Sequence, residues 1–455
     1  MTFNKKDWHL FGQWVQPPIS GCFWDHWIDN DRVPFKLERF EGRFPIINGY
    51  SIITMHDKDI ITDFILSNKG NFELIKELDK WVDNVIEKVQ RVKKPKKDII
   101  DTLKQFKGLF HELVSAWVFP FVYDDDLTND LRKICKEKGY DFDKIANSIR
   151  PSKDVFITQM NKEARKLYEM IENQKLGKNI EKIKNKNPYL ANAIVEHVDR
   201  FCFVGVHHFL GEPYTVEKFF ANFSIKPIPV EENIDIPKDV KWHADMLAHA
   251  TYQRTVMAET SGFLAHNIKP ILIEANDKLR LAKYEYIWLT ITEIIHGLED
   301  PGTFKRPDIE ARKEKYGIYS VDDKEIVVTG KDVDAILDQL IDKPKEIVWP
   351  LKGSVACKGK AIGIAKIIIS PDDIYKMKKG DVLIAPETTP EFFAGMRIAA
   401  AIVTGRGGIT SHAAIVSREL GVPCIVGVKD VPYIIKDGQK IEVDAEKGEV
   451  SLVEN

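Results

Sequence analysis

Cysteine is scarce and scattered in this chain. The 455 residues hold five, Cys22, Cys135, Cys202, Cys357 and Cys424, with no C-x-x-C pair. Neither a disulfide framework nor a thiolate zinc cluster is suggested, and reduced thiols in a cytoplasmic protein are expected. Long apolar runs are missing too: no stretch approaches about 20 uncharged apolar residues, the length a membrane helix needs. The opening MTFNKKDWHLFGQW lacks the apolar core of a signal peptide, so the sequence points to the cytosol and away from a membrane. Nor is there an excess of one charge. The formal net charge is −3, and the last 105 residues hold 14 Lys+Arg against 13 Asp+Glu, which leaves no basic surface for nucleic acid. A G-x-x-x-x-G-K-[ST] phosphate loop, an internal repeat and a low-complexity tract are all missing from the sequence.

What remains is an ordinary globular composition, 44% hydrophobic and 30% charged, on a chain long enough for two or three domains at about 150 residues each. From Asp63 to about Leu131, Ile65, Phe72, Leu74, Ile75, Leu78, Trp81, Val82, Val85, Ile86 and Val89 recur at helical spacing. Ser152 to Phe219 continues the helical pattern, with the charged run KLGKNIEKIKNK as a solvated face or connection. A third block from Trp242 to Leu298 predicts two or three long helices before Gly297 and Asp300-Pro301-Gly302 break the pattern. A short β-prone run, EIVVTG, and a helical run, DVDAILDQLI, then lead into IDKPKEIVWPLK, where Pro344 and Pro350 interrupt regular structure.

Beyond that point the period changes. AIGIAKIIIS, DVLIAPE, AAIVT and CIVGV are short β-branched runs bounded by Gly, Pro and Asp, and QKIEVDAEKGEVSLV reads as two strands about Lys447-Gly448. Helices are expected around Phe392 to Ala399 and His412 to Leu420. The organisation is therefore α+β and multidomain: a mostly helical region over 1–340, a linker over 341–352, and a strand-rich β/β/α domain over 353–455.

Within the last domain, AAAIVTGRGGITSHAAIVSRELGVPCIVGV reads as strand, glycine loop, helix and strand. Gly405, Gly407 and Gly408 allow a sharp turn, and Thr410 or Ser411 caps the following helix. Ala413, Val416 and Leu420 make its buried stripe, so His412, in the first turn, need not face the core. A helix N-terminus presents unpaired N–H groups and a partial positive charge, which favour an anion and disfavour imidazolium. A neutral imidazole beside a phosphate cradle is suited to forming a phosphohistidine.

The run GGITSHAAIVSRELGVP resembles the active-site signature of the phosphoenolpyruvate-utilising mobile domain, a swivelling domain shared by phosphoenolpyruvate synthase, pyruvate phosphate dikinase, rifampicin phosphotransferase and the histidine-bearing subunit of phenylphosphate synthase. The stretch from Gly353 to Gly363 and APETTPEF followed by MRIAAAIVT fit the same family, so the resemblance covers roughly Val348 to the C-terminus. It implies that His412 is the phosphorylated residue, that Gly407, Gly408, Thr410 and Ser411 form its phosphate loop, and that Thr388 and Thr389 lie on a second approach. Gly405 departs from the family, where many members have an acidic residue.

The resemblance also implies a nucleotide site that charges the histidine and a second site that receives the phosphoryl group. The helical region lacks the Gly-rich hairpins of an ATP-grasp module, so ATP and Mg²⁺ are expected on a separate ATP-grasp subunit. A (β/α)₈ barrel for phosphoenolpyruvate needs about 250 residues. No strand–helix alternation for one is legible upstream, and the chain stops at Asn455, so pyruvate chemistry within this chain is not expected. By analogy with phenylphosphate synthase, residues 1–340 would bind a small hydroxyl-bearing acceptor, aromatic in that analogy. His207 and His208 are candidate bases for it, and Trp14, Trp24, Trp27, His26 and Asp25 make a candidate aromatic wall, although packing explains both groups as well. HELVS at His111-Glu112 lacks the second histidine of a zinc helix, and no metal ligand is assigned. Two alternatives stand beside the phosphotransferase subunit: a component of a phosphoenolpyruvate synthase or pyruvate dikinase, and a non-catalytic regulatory phosphohistidine module.

Overall fold

The structure is a computed structural model that describes residues 3, 7–13, 18–21, 45–47, 50–92, 98–206, 213–221, 235–321, 324–340, 348–369, 371–388, 392–408 and 411–453. His207, His208, Thr389, Thr410, Trp14, Trp24, Asp25, His26 and Trp27 lie outside the described residues.

The helical region is built on two long helices, Ile99–Lys138 of 40 residues and Lys238–Lys278 of 41. Asp98 starts the first by accepting from Ile100 N at 2.8 Å, and Gly139 stops it at φ 73° with its N–H bonded to Cys135 O, the left-handed cap that glycine adopts without penalty. The pairs Asp239–Lys138, His243–Asp130 and Arg254–Asp124 descend one helix while climbing the other, so the two run antiparallel. Their shared core holds Phe106, Phe110, Leu113, Trp117, Tyr123, Leu127, Leu247, Met257 and Leu264, with Leu74, Leu78, Val82 and Val85 of helix Phe72–Gln90 alongside. The sequence periodicity predicted that last stripe. The third block differs from expectation: it holds one long helix that runs straight through Pro270, a single 3₁₀ turn and the short helix Ile291–Glu299.

Proline inside a helix removes the N–H that would bond four residues back. Pro120 thereby leaves the Ala116 carbonyl without its helical donor, and Gln253 of the partner helix supplies one, Nε2 donating to Ala116 O at 2.6 Å. Gln253 is itself held by His249 Nε2 at 2.9 Å, and His249 Nδ1 lies 2.7 Å from Asp79 Oδ1. A polar chain thus crosses the apolar core and closes a gap that the sequence created.

An antiparallel sheet, of which the sequence reading anticipated only the β-prone run EIVVTG, flanks the helices, ordered β1 (Trp8–Gln13), β3 (Tyr50–Thr54), β2 (Ile46–Ile47), β4 (Tyr316–Val321) and β5 (Lys324–Thr329). Ile47 and Ile52 pack with Val333 and Ile336 of helix Lys331–Leu340.

The C-terminal sheet runs β6 (Leu351–Lys352), β13 (Glu449–Leu452), β12 (Lys440–Asp444), β8 (Lys360–Ile367), β9 (Val382–Ala385), β10 (Ala401–Thr404), β11 (Cys424–Val426) and β7 (Ser354–Cys357). Strands β8, β9, β10 and β11 run parallel to one another, with antiparallel partners on either side. Such strands bury both faces, and the pleat sorts them: Val382, Ile384, Ala401, Val403 and Ile425 enter one core, while Leu383, Ala385, Ile402, Cys424 and Val426 enter the other. Ala413, Ala414 and Val416 of helix His412–Leu420 cover the second. This architecture is the expected α+β arrangement, a mostly helical region followed by a C-terminal mixed sheet.

Candidate active site

The carboxyl ends of β9 and β10 open into two loops, the position at which parallel α/β sheets present ligand-binding residues. Backbone bonds join these loops beyond the strands: Gly405 N to Ala385 O and Arg406 N to Pro386 O, each 2.9 Å. Thr404 Oγ1 donates to Arg406 O at 2.7 Å and fixes the turn. Gly407 sits at φ +100°, and a Cβ there would meet the Ser411 side chain at 2.8 Å, so the turn demands glycine. Gly408 has room for a Cβ, whose nearest neighbour would be Asp125 Oδ1 at 3.8 Å. That neighbour belongs to helix Ile99–Lys138, so the loop rests on the helical region.

Ser411 is the N-cap of helix His412–Leu420, its hydroxyl accepting from Ala414 N at 3.4 Å, and His412 is the first helical residue. His412 is half-buried, and Thr388, at the end of the β9 loop, is buried. Thr388 Oγ1 and His412 Nδ1 share a hydrogen bond of 2.9 Å. Of the residues singled out in sequence, the structure therefore brings together His412, Ser411, Gly407, Gly408 and Thr388.

Several neighbours went unnoticed in the sequence. Glu387 precedes Thr388; its Oε1 is closed from solvent and has no hydrogen-bond partner among the described residues. Burial pushes its carboxyl up to about 8, against the pull of the Arg406 and Arg254 guanidiniums. Arg254 comes from helix Lys238–Lys278, pairs with Asp124 and lies over the Phe121 ring at 5.2 Å. Asp126 pairs with Lys58 at 2.5 Å. Asp125, between those two acids, is exposed and has no hydrogen bond or ion pair among the described residues. Protein crowding, and after it the Asp124 carboxylate, hold Asp125 above the usual carboxylate range; its exposure keeps the first effect small. One sequence signal could have exposed this set. YDDDL follows WVFPFV in an otherwise apolar stretch, and three acids in a row there cannot all face solvent.

A histidine at the head of a helix, on loops at the carboxyl ends of parallel strands, is the site of a histidine-bearing α/β domain. Residues 377–448 match the family model described as PEP-utilising enzyme, mobile domain, and this part of the chain is such a domain. It is similar to a probable phosphoenolpyruvate synthase of Archaeoglobus fulgidus, 42% identical over 144 residues, which are 32% of this chain and 19% of the relative. It is also similar to the phosphoenolpyruvate synthase of Pyrococcus furiosus, 38% identical over 136 residues, 30% of this chain and 16% of the relative. The matched part thus spans less than a fifth of either relative. Among solved structures, the crystal structure of Thermococcus kodakaraensis aconitase X aligns over 23% of this chain and 98% of its own at 24% identity, with a TM-score of 0.20, too low to carry structural weight. No helix among the described residues is long and apolar enough to cross a membrane.

Proposed function

We propose that this chain is a dikinase-type phosphotransferase component: His412 accepts a phosphoryl group that originates on ATP and passes it to a small hydroxyl-bearing acceptor at the helical region. The observation that carries this reading is the placement of His412, at a helix N-terminus with Nδ1 tied to Thr388 at 2.9 Å. With the Nδ1 proton shared toward Thr388 Oγ1, Nε2 is the nitrogen whose lone pair attacks phosphorus, and the ring stays neutral until it does. Transfer onward breaks the Nε2–P bond and returns its electron pair to the ring. The amides of the Gly407–Gly408 turn and the helix N-terminus favour the transferred anion.

Among the described residues no group of three or more His, Cys, Asp or Glu is arranged to hold a metal ion. In this proposal ATP and Mg²⁺ belong to a separate ATP-grasp subunit, in keeping with a helical region that carries no Gly-rich hairpins of an ATP-grasp module. The acceptor, aromatic in the phenylphosphate synthase analogy, stays within the same proposal. Radiolabelled ATP, added with and without a candidate ATP-grasp protein, tests it. Acid-labile, base-stable label on the wild type and none on His412→Ala is expected; equal labelling of both overturns the assignment.

The names of the relatives favour a second reading, in which phosphoenolpyruvate is donor or product. Labelled phosphoenolpyruvate in place of ATP separates the two, because only under this second reading does it charge His412 directly.

A further inference from the structure

We infer that Asp125 is the base that deprotonates the acceptor hydroxyl. This rests on the phosphotransfer reading of His412 and adds to it a residue from the helical region.

Gly408, three residues before the cap of the His412 helix, faces Asp125 across a space in which a Cβ would lie 3.8 Å from Oδ1. The next acid on either side is already committed, Asp124 to Arg254 and Asp126 to Lys58. Asp125 alone of the three has its carboxylate available and turned to the loop. A transfer from phosphohistidine to a hydroxyl needs an acceptor for the hydroxyl proton near the attacking oxygen. A carboxylate with a raised proton affinity, beside Asp124, suits that task better than an ordinary surface acid.

Arg254, Lys58 and the loop's own Arg406 balance Asp124, Asp125 and Asp126 on this face, so it does not sort acceptors by charge, and the role of Asp125 is that of a base alone. In the step itself the acceptor O–H proton passes to Asp125, the oxygen forms a bond to phosphorus, the Nε2–P bond breaks, and its electron pair returns to the imidazole.

The test uses the full chain charged chemically with radiolabelled phosphoramidate, which requires no partner protein. Label on His412, absent in His412→Ala, is measured first; failure here ends the phosphohistidine reading rather than the role of Asp125. Loss of label is then followed in buffer with methanol or phenol. Asp125→Asn is expected to slow loss to water, methanol and phenol by at least about tenfold, and Asp125→Glu to recover most of the rate. Equal rates in Asp125→Asn and wild type overturn the base.

Discussion

At the scale of single residues, the contact that sets the site is Thr388 with His412. Removing the hydroxyl while keeping the shape, as in Thr388→Val, frees the imidazole to adopt either tautomer. Charging of His412 is expected to slow by roughly tenfold to a hundredfold, with an unchanged melting temperature, as measured by the initial rate of label incorporation. Glu387 sets a pH dependence. Its carboxyl is raised to about 8 in the folded chain, against an unfolded value of about 4.3. The folded state therefore holds a proton that the unfolded state releases between those values, and stability contributed by this group is present at low pH and lost as pH climbs toward 8. Glu387→Gln keeps the neutral form throughout. Thermal melts between pH 5 and 9 are expected to fall more shallowly for Glu387→Gln than for wild type, and parallel curves would refute the assignment.

At the scale of elements, the joint between the two long helices makes the clearest forecast. Gln253→Leu leaves the Ala116 carbonyl buried without a donor, a loss of about 1–3 kcal/mol, seen as a lower urea midpoint. Where Pro120→Ala restores the helical N–H, the same change at Gln253 is expected to cost less, and a double-mutant cycle measures the coupling. A second joint lies at helix Phe156–Asn173, whose N-cap Val155 has no side-chain bond to offer. Glu259 of the neighbouring long helix takes that place, accepting from Phe156 N at 2.7 Å and Ile157 N at 2.9 Å. Glu259→Ala is expected to destabilise the chain by about 1–2 kcal/mol, the usual worth of a cap. Local sequence could not reveal either joint, because each donor and acceptor stand more than a hundred residues apart. What local sequence did carry was the stripe of Leu74, Leu78 and Val82, the double-faced apolar strands β9 and β10, and the Ser411 cap with His412 behind it. Of the antiparallel sheet only β5 was legible, as the run EIVVTG; β2 has just two residues, Ile46 and Ile47, and no period can be read from two.

For the whole molecule, two separate apolar clusters lie entirely within residues 349–450. The fragment 348–455 is expected to unfold cooperatively on its own, and a non-cooperative melt of that fragment would contradict this. The histidine loop was legible as a loop, but its seat on Asp125 and near Arg254 was not, since only the folded chain brings the second half of the sequence onto the first. That seat has a kinetic consequence. If Asp125 takes the acceptor's proton at that seat, as proposed, donor and acceptor meet His412 in separate steps, so the two substrates visit in turn. Initial-rate plots should then give parallel lines, and isotope should exchange between each substrate and its own product with the other left out of the tube.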